Sequence, residues 1–271
     1  VLNLGIVAHV DAGKTSLTER LLYAAGVIDE LGSVDAGSTR TDSLALERQR
    51  GITIKAAVVS FEIGGRTVNL IDTPGHPDFI AEVERALGVL DGAVLVISAV
   101  EGVQAQTRVL MRVLRRLGIP TLIFVNKIDR RGAQQDALLR RIADTLTPDV
   151  LPMVTVDELG TAAARIRPLE VADPAFRTRL TDLLTRYDDA LLAEYVATGA
   201  LPGDRLRAAL ARQTRQARVH PVFFGSAVTG AGLDPLVGGL VELLPAAVED
   251  AGRPPSGTIF KIERAAAGER I

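Results

Sequence analysis

The residues best placed to do chemistry stand near the N-terminus, in the run Ala8-His9-Val10-Asp11-Ala12-Gly13-Lys14-Thr15. An apolar stretch, Leu2 to Val7, precedes it, and a stretch with helical spacing begins at Ser16. Strand, tight loop, Gly-Lys-Thr and helix is the context a phosphate-binding P-loop requires. Backbone N–H groups from Asp11, Ala12, Gly13, Lys14, Thr15 and Ser16 can then converge on an anion at a helix N-terminus. Gly13 lets the chain come close to the phosphates. Lys14 can reach the β- and γ-phosphates as a point charge, and the Thr15 hydroxyl can ligate Mg²⁺. The generic pattern opens with Gly where this chain has Ala8, which is acceptable if that residue keeps a negative φ. Taken alone, the run does not separate a nucleotide site from a strand–turn–helix with a chance glycine.

Further groups follow the ends of other expected strands. Asn126-Lys127-Ile128-Asp129 comes after the apolar run Thr121–Val125. A carboxylate there can accept from both N1–H and the N2 amine of guanine, a donor pair that adenine lacks. An unpaired buried carboxylate is expensive, which gives discrimination of roughly 10⁴-fold or more. The Asn126 side chain can bond the ring and brace the P-loop, and the Lys127 stem can cover the base face. Ser226 and Ala227, after Val222–Phe224, would present backbone N–H groups to the guanine O6. Asp72 ends another strand and closes the Mg²⁺ site opposite Thr15, through a water. Gly75 can offer its N–H to the γ-phosphate. The Thr53 hydroxyl would join Mg²⁺ only while that phosphate is present, so its loss would release residues 27–53. His76 could orient an attacking water without being the base that drives the step. His9 is expected to pack or cap, and His220 to be structural. The arginines at 108, 112, 115, 116, 130, 131, 140 and 141 read as solvated helix faces, with an RNA-facing patch making phosphate contacts as the alternative; no aromatic residues are interleaved, so base stacking is not indicated.

These groups need a scaffold that delivers loops to one edge. The 271 residues, 47% hydrophobic, suit one large domain or one plus a fragment. Alternating strand and helix patterns predict an α/β fold, a doubly wound, mostly parallel sheet of P-loop NTPase type. Strands are expected at 2–7, 54–61, 67–72, 93–98, 121–125 and 222–224, and helices near 16–23, 78–91, 104–117, 133–146 and 233–244. Gly64-Gly65 is a hairpin signal, which makes 54–61 an antiparallel edge strand. Residues of about 148–218 break the rhythm and read as a mostly helical insertion, with periodicity over Phe176–Tyr195 and Asp204–Gln216. The main domain spans 1–250, a linker 251–257 contains Pro254-Pro255, and a new strand starts at Thr258.

Composition excludes some classes. The net charge of −2 predicts no nucleic-acid partner from bulk charge, and the absence of Cys removes disulfides and thiolate metal sites. No apolar run is long enough to span a bilayer and the N-terminus has no signal-peptide shape, in agreement with a cytoplasmic chain, expected as a monomer. The missing initiator Met and the end at Ile271, inside an apparent strand, suggest a fragment.

Together, Ala8–Thr15, Arg50-Gly-Ile-Thr-Ile54, Asp72-Thr-Pro-Gly-His76, Asn126–Asp129 and Gly225–Ala227 resemble the GTPase domain of translational GTPases. The Ala8 opening and Gly102-Val-Gln-Ala-Gln-Thr107 resemble the elongation factor G branch. Residues 30–53 look closest to the tetracycline-resistance ribosomal protection proteins, of the oxytetracycline-producer type. The resemblance implies GTP hydrolysis to GDP and phosphate, slow alone and stimulated by the ribosome. It implies that Val10 and Ile52 gate His76, which large-subunit RNA holds in place. A β-barrel is expected from 258, and further domains that reach the decoding site and dislodge tetracycline. This chain alone is therefore expected to bind and hydrolyse GTP without conferring protection. The runner-up is a housekeeping elongation factor G relative that drives translocation. A nucleotide-dependent binding module without hydrolysis is disfavoured by intact Lys14, Thr15, Thr53, Asp72 and His76.

Overall fold

The computed structural model describes residues 1–30, 57–72 and 86–245. Thr53, Gly75, His76, the linker and the strand expected at 258 lie outside the described residues, as do most of the helix expected at 78–91 and the boundary near 250.

The first strand, β1 (Leu2–Ala8), leads into α1 (Lys14–Ala24). A hairpin follows, β2 (Ala57–Ile63) and β3 (Arg66–Asp72), joined by Gly64-Gly65 with φ of 59° and 73°. Positive φ at both turn residues matches the twist of a two-residue hairpin loop, which glycine adopts without strain. Next come β4 (Gly92–Ser98), α2 (Ala105–Arg116), β5 (Thr121–Asn126) and α3 (Gln135–Thr145). Every residue of β4 and β5 is buried, as expected for central parallel strands covered on both faces. On α2, Leu110, Met111, Val113 and Leu114 face inward while the four arginines are exposed, so the solvated-face reading fits.

The insertion holds three helices, in keeping with its mostly helical reading, but also short strands that the reading did not contain. It opens with β6 (Val150–Pro152), followed by a hairpin of β7 (Val154–Asp157) and β8 (Arg165–Pro168). Strands of three or four residues carry too few alternations to register as a period. The expected single run over Phe176–Tyr195 is two helices, α4 (Pro174–Thr185) and α5 (Asp189–Thr198). Each has its own aspartate cap: Asp173 accepts from the Ala175 N–H at 2.8 Å, and Asp188 from the Leu191 N–H at 3.0 Å. α6 (Gly203–Arg215) ends the insertion. After it come β9 (His220–Phe224) and α7 (Leu233–Leu243), the last described helix.

The seven-stranded sheet has the order β2-β3-β1-β4-β5-β9-β6. β2 pairs antiparallel with β3, and the other neighbours are parallel. The expected antiparallel edge strand is therefore present, and β6, from the insertion, forms the far edge against β9.

His220 is structural, as expected. It is buried in β9 with Nδ1 3.2 Å from the Thr121 carbonyl oxygen. Burial pushes its pKa down to about 4.

Candidate nucleotide site

Because β3, β1, β4, β5 and β9 run parallel, their C-terminal ends open on one edge. The register sets Ile6 beside Asp72, Ala8 beside Val96, Ser98 beside Asn126, and Val125 beside Phe224. The segments that follow β1, β4, β5 and β9 are therefore neighbours. Ligands bind at this edge of such sheets.

In the first of these loops, the Ala12 N–H donates to the His9 carbonyl at 3.3 Å and the Leu17 N–H to the Gly13 carbonyl at 3.0 Å. Asp11 and Gly13 are left-handed, with φ of 62° and 93°. Alternating backbone handedness turns successive N–H groups to one side, which makes an anion-binding concavity. Ala8 is a β1 residue with no positive φ, so the departure from the opening Gly is harmless. Lys14 begins α1 and is buried, and Thr15 and Ser16 follow it in the first turn.

Asn126 joins this loop to another. Its Nδ2 donates to the Ala12 carbonyl at 3.0 Å, and its Oδ1 accepts from the Ala227 N–H at 2.9 Å. The expected brace on the P-loop is present. The Ser226 and Ala227 N–H groups, expected as donors to guanine O6, both have acceptors within the protein. The Ser226 N–H donates to the Ala231 carbonyl at 2.9 Å, and the Ala227 N–H is held by Asn126. Physically, a buried loop satisfies its own backbone donors. Ser226 also accepts from the Thr229 N–H at 3.2 Å through its hydroxyl, which tightens the turn.

Lys127 has a φ of 68°, uncommon for a residue with a β-carbon, and its Nζ lies 3.0 Å from Glu101 Oε1. Asp129 is mostly buried, and its Oδ2 lies 3.7 Å from Arg130 Nε. The Ile128 N–H donates to the Gly225 carbonyl at 3.3 Å, which holds the base loop against the 225–227 loop. Thr53, Gly75 and His76 cannot be placed against this frame, since they lie outside the described residues. For Asp72 the backbone alone is described, at the end of β3.

The contacts of three contributors were not legible in the sequence. Arg20 on α1 donates from Nε to the Ala227 carbonyl at 2.8 Å and also to the Val228 carbonyl. His9 lies within hydrogen-bond distance of Glu101 and Thr107. The third contributor, Glu101, carries no motif. An arginine in a helical period gives no signal of a partner 207 residues away.

Residues 1–246 match the sequence family described as Elongation factor Tu GTP binding domain. The chain belongs to this family. As an elongation factor Tu-type GTP binding domain it binds guanine nucleotide. The chain is 60% identical over its whole length to the oxytetracycline resistance protein of Streptomyces rimosus, covering 41% of that protein. It is 53% identical over 99% of its length to tetracycline resistance protein TetM of Streptomyces lividans, covering 42% of that protein. A crystal structure of a Thermus thermophilus protein superposes with a TM-score of 0.80 at 29% identity, over 91% of this chain and 40% of the other. The chain thus spans about two-fifths of the length of these relatives. Among the described residues, no helix of this GTP binding domain is long and apolar enough to cross a membrane.

Proposed function

We propose that this chain is the GTPase part of a ribosomal protection factor, one that hydrolyses GTP to GDP and phosphate on the ribosome and thereby cycles a protein that frees the ribosome from tetracycline. The observation that carries this reading is the 60% identity, over the whole chain, to a protein named for oxytetracycline resistance. The 53% identity to TetM supports it further.

The residues divide the work. The loop of Asp11, Ala12 and Gly13 and the start of α1 grip the phosphates through N–H groups, with Lys14 as the fixed positive charge. Asp129 reads the guanine edge and the Lys127 stem covers the base plane, while Asn126, Ser226 and Ala227 shape the wall of the base pocket. Thr15, Thr53 and Asp72 are hard oxygen donors, which suit Mg²⁺ and no soft metal. Thr15 stands in the first turn of α1 directly after Lys14, where a phosphate-bound cation would need a ligand. Mg²⁺, when bound, neutralises charge on the β- and γ-phosphate oxygens. Gly75 offers its N–H toward the γ-phosphate, and His76 orients the attacking water. Large-subunit RNA holding His76 in place would make hydrolysis ribosome-dependent, with Thr53 released when the phosphate leaves.

The test uses the full-length parent protein in a reconstituted translation system stalled by tetracycline. Peptide synthesis should resume with GTP and fail to continue over many rounds with a non-hydrolysable analogue. No rescue, with translocation supported when elongation factor G is omitted, would move the protein to the housekeeping branch.

A further inference from the structure

Glu101 follows β4 and belongs to none of the motifs that mark the pocket. Its backbone is fixed on both sides. Its N–H donates to Ser98 Oγ at 3.2 Å, its carbonyl accepts from Gln104 Nε2 at 2.7 Å, and the next N–H, of Gly102, donates to the Ser98 carbonyl at 2.8 Å. From this anchored position its carboxylate spans two loops. Oε2 lies 3.2 Å from His9 Nε2 in the P-loop, and Oε1 lies 3.0 Å from Lys127 Nζ in the base loop.

The donors and acceptors around it fit a single arrangement. Burial raises the Glu101 pKa, but the hydrogen bond and charge of Lys127, helped by His9, outweigh it and leave the net shift downward. The group is therefore an ionised carboxylate, which only accepts. For His9, burial outweighs the pull of Glu101 and lowers the pKa, which keeps the ring neutral. Its Nε2–H then donates to Glu101, and its bare Nδ1 accepts from the Thr107 hydroxyl 3.1 Å away. Thr107 Oγ1 in turn accepts from the Gln104 N–H at 3.2 Å. Each polar hydrogen named in this chain has an acceptor. The left-handed backbone of Lys127 is uncommon for a residue with a β-carbon, so its conformation needs a hold from outside. Glu101 is the anion in contact with it.

We propose that Glu101 is a positioning residue for guanine-nucleotide binding: it anchors the Lys127 ammonium so that the lysine stem stays over the base, and through His9 it joins the base loop to the P-loop. The proposal rests on reading 126–129 as the base loop. A group that acts through the lysine stem affects the plane of the base, not its edge. It therefore changes affinity for every purine nucleotide that the pocket accepts by the same factor.

The test compares GDP with inosine diphosphate, which lacks the N2 amine, by dissociation rate and equilibrium binding on the full chain. Glu101→Ala and the isosteric Glu101→Gln should each speed dissociation of both nucleotides roughly tenfold, the order expected for losing a charged hydrogen bond, with their ratio unchanged. Lys127→Met should do the same, and Glu101→Ala should add little on top of it. Asp129→Asn, run in parallel, should change the ratio. Unchanged dissociation in both Glu101 variants, or losses that multiply in the double variant, overturns the proposal while the Asp129 result still stands. An unchanged ratio in Asp129→Asn overturns the base-loop reading itself, and the proposal with it.

Discussion

The side-chain amide of Asn126 occupies the space in which residue 13 would carry a β-carbon: a Cβ built on Gly13 would lie 2.2 Å from Asn126 Nδ2. Gly13 also has a φ of 93°. Glycine here thus answers two demands, a left-handed backbone and room for the amide that donates to the Ala12 carbonyl. Gly13→Ala should push Asn126 off the P-loop and weaken GDP binding by at least about 100-fold, the order of two lost buried hydrogen bonds. Calorimetric titration with GDP would show this, and near-native affinity would refute it.

Asp129 is expected to select the base. Asp129→Asn replaces an acceptor pair with one donor and one acceptor, which mismatches N1–H and the N2 amine. Affinity for GDP should fall by roughly 10³-fold or more. Affinity for xanthosine diphosphate, whose C2 carbonyl accepts a hydrogen bond, should rise. Competition binding with the two nucleotides measures both, and retained preference for GDP counts against the assignment.

Arg20 ties α1, whose N-terminus carries Lys14, to the loop that carries Ser226 and Ala227. Arg20→Met keeps most of the stem and removes the donors. The loss should amount to about 1 kcal/mol in denaturant unfolding, given that the side chain is only partly buried. GDP dissociation should accelerate several-fold. Unaltered values for both would show that the two carbonyls find water equally well.

His220 gives a pH dependence with a defined sign. Its pKa in the folded chain is about 4, below the ordinary 6.5. Between those values the unfolded chain binds a proton that the native chain does not, so stability rises with pH across the window. The contribution is complete above pH 6.5 and is lost as pH falls toward 4. The full loss is about 3 kcal/mol. His9 acts in the same direction, because burial lowers its pKa too. Unfolding curves between pH 7 and 4.5 should show a shallower fall for His220→Gln than for the native chain. Equal slopes would remove His220 as the cause.

His76 is assigned a role in hydrolysis and none in binding. In the full-length parent, His76→Ala should lower ribosome-stimulated GTP hydrolysis by about 100-fold or more. GTP affinity should stay the same. Stopped-flow phosphate release measures the first quantity, and a wild-type rate would sink the assignment.

Much of the frame of the candidate pocket was readable because its logic is local. Gly13-Lys14-Thr15 and Asn126-Lys127-Ile128-Asp129 are each contiguous, and each follows an apolar run that forms a buried strand. The alternation of strands and helices gave the order of the loops, and the parallel sheet did the rest. What stayed hidden depends on contacts distant in sequence. Glu101 meets His9 across 92 residues and Lys127 across 26, and neither spacing has a local signature. The partners of the Ser226 and Ala227 N–H groups stayed hidden for a related reason. The N–H groups are visible in the sequence, but their protein acceptors, the Ala231 carbonyl and Asn126 Oδ1, emerge only when the turn closes. β6 escaped because three residues ending in a proline offer no period.

That short strand bears on how the domain could be pared down. Excising 148–218 as though it were a decoration would strip β6 from β9 and bare the His220 N–H and the Val222 carbonyl, which now pair with Asp149 and Met153. A central strand would become a raw flank, open to recruitment by a second molecule. The same cut would remove Gly160, whose N–H holds the Ile128 carbonyl at 2.7 Å, and so loosen the base loop from behind. A minimal version of the domain must therefore keep the residues up to the end of β8, and trimming has to start beyond Pro168.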